Sequence, residues 1–377
     1  MQTRNFAGMK IPDMERPVEM LLILLRAALH QSEVETPCFK HATAKDWLQC
    51  YRLAVRQGVP VLAWSAVERM PAGYQPPLEV KLSWALLEDK QQQQYVRYCR
   101  AAHELGKLYA QHGIAMVVLK GIGLSRLYPV PAHREGGDVD IYTFSADRNR
   151  MTDHEANSLA NELMEKLGND VDYSYARVHT SFFYNGVRFE NHRRFLSADA
   201  FTAADKVDAW LKEHIAPQPV SLHDGLFGIN VPSASFDNVF IPLHAAHHYG
   251  KGLSLRHLCD WVILALNGKD QAHDEPDNEC LHRVTGALSL LCNRHLGTQI
   301  PADGADGKLA SEVMEEIIAP PFGRRNKHGN PIKACIYQTR HNLHLLWLKH
   351  RLLGISPHKS ALRLLLSVLS HPTRLYK

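Results

Sequence analysis

The chain has 377 residues, of which 45% are hydrophobic and 22% charged, an ordinary globular composition with enough length for two or three packed units. Its seven cysteines include no Cys-x-x-Cys pair, which argues against a disulfide framework or a zinc knuckle. The apolar run Met20–Leu25 starts too late and is too short for a secretory signal or a membrane span, so a cytoplasmic protein is expected. The net charge of +4 is unevenly spread, because Arg324–Lys377 carries eleven Lys and Arg and no Asp or Glu: a basic tail follows a mildly acidic body.

Residues 14–112 read as helices. "RPVEMLLILLRAAL", "AKDWLQCYRLAVRQG" and a long segment from "PPLEVKLSW" to "LYAQHG" repeat apolar residues at spacings of three and four, and Gly58 and Gly113 stand where helix C-caps belong. The glutamines of "QQQQ" are expected on a solvated helix face. The period then changes. "IAMVVLK" (Ile114–Lys120) is a strand candidate, "GIGLSRLY" a glycine turn opening a short helix, and "DVDIYTF" a second strand. A helix, "DHEANSLANELMEKLG", precedes "VDYSYARVHTSFFYNGVRFENHRRF", where Asn185-Gly186 between β-prone runs marks a hairpin.

This order predicts a small α+β or α/β domain at Gly113–Phe195. Beyond it, "FTAADKVDAWLKEHI" reads as a helix and "GLFGINVPS" as a strand. From Asp237 onward the chain reads as helices, interrupted by the loops "NGKDQAHDEPDNE" and "PPFGRRNKHGNP". No internal repeat of solenoid length occurs. Three regions result: N-terminal helices (1–112), a core (113–235), and C-terminal helices with the basic tail (236–377).

The chemistry gathers around "GGDVDIY". On a strand Asp138 and Asp140 point to one face and Val139 and Ile141 to the other. Two adjacent like charges repel, and a shared divalent cation with a taste for hard oxygen, such as Mg²⁺, relieves the repulsion. A bare Asp-x-Asp is more often a solvated strand face, so context must decide. In "GVRFENH" the apolar Val187 and Phe189 share one face, leaving Arg188, Glu190 and His192 on the other. If this strand lies beside "DVDIY", Glu190 becomes a third carboxylate, an arrangement suited to holding two metal ions for in-line phosphoryl chemistry. Upstream, "VVLKGIGLSRLY" runs from a strand through Gly121 and Gly123 into a helix, a geometry that receives phosphate, with Ser125 as a hydroxyl contact. It matches neither the P-loop nor the dinucleotide fingerprint.

These residues carry a resemblance. "VVLKGIGLSRLYPVPAHREGGDVDIY" is similar to the Lys-Gly, Tyr-Pro, Arg, Asp-x-Asp signature of the uncharacterised bacterial nucleotidyltransferase family of the DNA polymerase β-like superfamily. "RQGVPVLAW", "GLFGINVPS", "FIPLHAAHHYGKG" and "LRHLCDWVILAL" extend the resemblance over residues 15–266. It implies a polymerase β-like α+β core of mixed sheet and helices, flanked by helical regions. It further implies a Mg²⁺ pair on Asp138, Asp140 and Glu190, with Glu190 as a possible base. Lys120, Gly121 and Arg134 would serve a nucleoside triphosphate, ATP among the choices. The superfamily's usual Gly-Ser or Gly-Gly turn is "GIG" here.

The implied activity is transfer of a nucleoside monophosphate to a hydroxyl or phosphate acceptor, with a saccharide-related acceptor, as in polysaccharide biosynthesis, the expectation. Two alternatives stand beside it: a protein-AMPylating enzyme of toxin or antitoxin type, and a catalytically silent scaffold that binds a membrane or polyanion through its tail. The histidines of "LHAAHHYGKG" (His244, His247, His248) lack the glutamate of a zinc-protease motif and read as structural or substrate-contacting. Asp260, in an otherwise apolar helix, needs a partner, for which Arg256 or the histidine helix is available. His192, His247 and Asp260 are placed at an acceptor pocket. For the tail a solvated helix pair folded on the body is the default, peripheral membrane contact the alternative; sparse aromatics (Tyr337, Trp347, Tyr376) disfavour nucleic acid.

Overall fold

The computed structural model describes residues 15–319, except 176, 198–199, 202, 250–251, 269–274 and 303, together with residues 349–354. The loop "PPFGRRNKHGNP", most of "NGKDQAHDEPDNE" and most of the basic tail lie outside the described residues.

Four helices open the fold: α1 (Arg16–His30), α2 (Ala44–Arg56), α3 (Pro60–Val67) and α4 (Leu78–Ala110). α1 begins on a proline at its first turn, and α2 on a capping box in which Thr43 and Asp46 satisfy each other's backbone donors. Gly58 and Gly113 close α2 and α4 with positive φ, as their positions predicted. α3 is apolar and buried on every side, so it lacks the polar face that makes a helix legible. The "QQQQ" expectation is corrected in part. Gln92 and Gln93 are solvated, but Gln91 donates to the Ala132 carbonyl (2.8 Å) and Gln94 to that of Gly136 (2.8 Å), tying loop 131–137 to α4.

The sheet consists of β1 (Ile114–Val118), β2 (Val139–Ser145), β3 (Val171–Asp172), β4 (His179–Tyr184) and β5 (Val187–His192), in the order β1-β2-β5-β4-β3. The one-turn helix α5 (Ile122–Ser125) follows β1, and α6 (Asp153–Lys166) links β2 to β3. β1 and β2 are antiparallel, β2 and β5 parallel, and β5 and β4 form the hairpin at Asn185-Gly186. Both turn residues have positive φ, the primed-turn geometry that matches strand twist. Because the hairpin returns the chain alongside β2, Asp140 lies directly opposite Glu190.

Next come α7 (Ala204–His214), a two-stranded sheet of β6 (Gln218–Leu222) and β7 (Phe227–Val231), and α8 (Ala234–His247), α9 (Leu255–Asn267), α10 (Glu279–His295) and α11 (Gly307–Ile318). β6, with Pro219 and few apolar residues, carries no strand signal of its own and forms as an edge partner of β7.

Two apolar cores share α4. One joins α1–α3 and the start of α4 to α7–α11; the other packs the rest of α4 against the sheet, α6 and β7. The early and late helices are also stitched by Gln57, which donates to the Ile317 carbonyl (2.7 Å) and accepts from the Leu255 amide (2.9 Å). Of the basic tail, residues 349–354 rest on the body: Arg351 pairs with Asp306 (2.8 Å) and Glu312 (2.6 Å), and Leu352 and Leu353 are buried. The described thiols are free, and five of the six are buried. No helix among the described residues is long and apolar enough to cross a membrane.

Candidate functional site

The sheet has one apolar and one polar face where β2 meets β5. Val139, Ile141, Val187 and Phe189 are fully buried in the core, while Asp140, Glu190 and His192 project from the other side. Asp140 is 1% exposed. Its Oδ2 lies 2.9 Å from Lys120 Nζ and its Oδ1 2.9 Å from His192 Nε2. Burial alone would raise this carboxyl's pKa, but the Lys120 charge and the His192 hydrogen bond outweigh burial and hold it well below the usual carboxylate range.

Asp138, just before β2, and Glu190 behave oppositely. Burial raises both pKa values, and the charge of Asp140 raises them further; Glu190 also responds to Asp138. Glu190 Oε1 meets Arg188 Nη2 at 3.2 Å, and its Oε2 lies 3.7 Å from His179 Nε2. Three carboxylates therefore sense one another on a shared face, with Lys120, Arg188 and Arg256 as the cations acting on Asp138.

The Lys-Gly turn brings Lys120 here. Gly121 has φ +63°, and a Cβ on it would stand 3.5 Å from the Asp138 carbonyl oxygen, so the turn lies against the strand that carries the acids. Gly123 is needed for packing: a Cβ there would sit 2.8 Å from the Val118 carbonyl oxygen.

Several expected contacts are corrected. Ser125 is 1% exposed and donates its hydroxyl to the Ile122 carbonyl at 2.6 Å, so it closes its own turn and does not face a phosphate. Arg134 forms a two-pronged pair with Asp260, Nε to Oδ1 and Nη2 to Oδ2 both at 2.8 Å, and Tyr128 donates to the same Oδ1 at 2.6 Å. The Arg134 side chain is 6% exposed and Asp260's 5%. The guanidinium fork is occupied, so Arg134 does not fit a triphosphate partner, nor Asp260 an acceptor contact. Asp260's partners are Arg134 and Tyr128, in place of Arg256 or the histidine helix.

On α8, His247 is exposed, whereas His244 and His248 turn toward Lys120 with their Nε2 atoms 3.1 Å apart. Burial, then the Lys120 charge, holds His244 well below its ordinary pKa and His248 down at about 4.

The structure thus assembles Lys120, Gly121, Asp138, Asp140, Glu190 and His192, and places Gly123, Ser125, Arg134 and Asp260 in other roles, with His247 exposed at the end of α8. Sequence reasoning placed Arg188 on the face of Glu190 but missed His179, His244, His248 and Arg256 as neighbours of the acids. For His179 a signal existed: counting back from the Asn185-Gly186 turn places it opposite His192. Burial and the neighbouring His192 hold His179 down at about 4, so its imidazole is neutral at physiological pH.

A mixed sheet with an acidic face between two parallel strands, enclosed by helices, is an α+β fold of nucleotidyltransferase type. The chain belongs to the uncharacterised nucleotidyltransferase family, whose family model matches residues 43–300. No curated protein and no solved structure matches it.

Proposed function

We propose that the protein transfers a nucleoside monophosphate from a nucleoside triphosphate to a hydroxyl or phosphate acceptor, with Mg²⁺ held by Asp138, Asp140 and Glu190 in a two-metal site. The observation that carries this reading is the parallel β2–β5 register, which sets Glu190 opposite Asp140 with Asp138 beside them. The donor set suits a hard divalent cation. Asp138 and Glu190 are pushed toward protonation by burial and by neighbouring acids, a cost that a bound cation would cancel. When bound, Mg²⁺ supplies charge neutralisation at the reacting phosphate and lowers the pKa of the acceptor hydroxyl.

The chain's own groups divide the remaining work. Lys120, already beside Asp140, offers its ammonium to the phosphates. Gly121, without a side chain, lets the backbone come close to them. Glu190, its pKa raised, is suited to take the acceptor's proton on a carboxylate oxygen. Arg188 and Arg256 add positive charge around the leaving pyrophosphate.

Calorimetry with nucleoside triphosphates, with and without Mg²⁺, tests this. Binding should require Mg²⁺ and vanish in Asp138→Asn/Asp140→Asn. Turnover is then sought with α-labelled triphosphates and candidate acceptors, saccharide phosphates first. Absence of Mg²⁺-dependent binding by the intact protein for every base would sink the reading.

A further inference from the structure

The polar face holds two histidines that the nucleotidyl reading leaves unexplained, on either side of a carboxylate, Glu190, that it already uses. His179 on β4, and Glu190 and His192 on β5, place one ligand atom each within 4.8 Å of one another. Their spacing follows from the hairpin: His179 and His192 are direct cross-strand partners, and Glu190 stands two residues before His192 on the same face. The geometry points to a binding site for a first-row transition ion, of the Zn²⁺, Co²⁺ or Mn²⁺ class, formed by His179, Glu190 and His192. The inference rests on the nucleotidyltransferase reading for what such an ion does there, and on this sheet face alone for its binding.

Three further features support it. Two imidazole nitrogens and one carboxylate are the donors such ions prefer, whereas Mg²⁺ favours oxygen throughout. Each histidine is also oriented from behind. His192 Nδ1 faces the Arg194 carbonyl at 3.1 Å, which makes that nitrogen the donor and leaves Nε2 for a cation; Tyr175 stacks on His179 with ring centroids 5.7 Å apart. Finally, His192 Nε2 lies 2.9 Å from Asp140 Oδ1, so a buried carboxylate stands next to the donor set and offsets a cation's charge. The His179 side chain is 19% exposed and Glu190's 16%, which leaves a path in from solvent.

The test is a Co²⁺ titration of the purified, metal-stripped full-length chain, read by calorimetry and by visible absorption, which reports nitrogen ligation independently of turnover. One Co²⁺ per chain should bind and resist about a hundredfold excess of Mg²⁺. His179→Gln and His192→Gln should each weaken binding about tenfold or more, and Asp138→Asn should leave it within about twofold. Circular dichroism on each variant confirms that it folds, and His179→Gln, at the less buried of the two histidines, decides if His192→Gln does not. The inference is overturned by absence of Co²⁺ bands, by ready displacement with Mg²⁺, by unchanged affinity in His179→Gln, or by loss of binding in Asp138→Asn. Triphosphate binding by the same wild-type sample with Mg²⁺ alone separates the two readings. Histidine-dependent Co²⁺ binding without nucleotide binding keeps this site and removes the nucleotidyl one, and nucleotide binding without Co²⁺ does the reverse.

Discussion

Replacing Arg134 with Met removes the guanidinium that meets both oxygens of Asp260 at 2.8 Å. Asp260 is then left charged in a site where it is 4% exposed, with only the Tyr128 hydroxyl to bond it. Breaking a buried pair from one side costs about 3–5 kcal/mol, because the remaining charge keeps its desolvation penalty and loses its compensation. Replacing both partners, as in Arg134→Met/Asp260→Leu, removes the penalty with the pair, so the double variant should recover most of the loss. Urea unfolding followed by circular dichroism measures all four corners of this cycle. The pair also predicts acid sensitivity. Burial opposes ionisation of Asp260, but Arg134 outweighs it and lowers the pKa, so the stabilisation is present above the unfolded carboxyl's pKa and fades as pH falls through the folded one. If Arg134→Met unfolded like the parent but lost Mg²⁺-dependent nucleotide affinity, the assignment of Arg134 to the scaffold would be wrong and its role at the phosphates restored.

Asp237, buried on α8 with Oδ1 lacking a hydrogen-bond partner among the described residues, has its pKa pushed up to about 8 by burial, against a partial offset from Arg126. The native state thus keeps a proton that the unfolded chain releases, and stability should fall as pH rises from about 4 to about 8. Asp237→Asn should flatten that slope and add on the order of 1–3 kcal/mol at pH 8, measured by urea titrations across pH; an unchanged slope would refute the buried, protonated carboxyl. Gly123→Ala forces a Cβ to 2.8 Å from the Val118 carbonyl oxygen, which should cost about 1–3 kcal/mol in thermal or urea unfolding and weaken nucleotide binding by moving Lys120. Gln91→Ala and Gln94→Ala each release one bond to loop 131–137 and should cost about 1 kcal/mol apiece, with weaker nucleotide binding because the loop leads into Asp138. Stability loss with unchanged nucleotide affinity would detach that loop from the site.

The acidic face was legible because it follows from local rules. Alternation fixes which way Asp138, Asp140 and Glu190 point, and the Asn-Gly turn fixes Glu190's register against β4, while the parallel pairing with β2 that brings it to Asp140 stood in the sequence only as a condition. Arg134 was misassigned because its partner, Asp260, stands 126 residues away, and nothing local distinguishes a guanidinium committed to a buried acid from one awaiting a phosphate. Ser125 failed for the opposite reason, since a hydroxyl inside a one-turn helix satisfies itself on a carbonyl three residues back. On α8, helical spacing identified the histidines but not the side they share; packing turns His244 and His248 inward and His247 out. β6 was invisible because an edge strand can borrow its order from a neighbour, and Pro219 is tolerated only there.

α4 runs unbroken for 33 residues, about 50 Å, and buries Trp84 in one core and Leu105 in the other. A helix held at both ends is a common beam, so the acidic sheet is not a detachable module: a fragment starting at Gly113 would lose one wall of its core along with the glutamines that hold its loop.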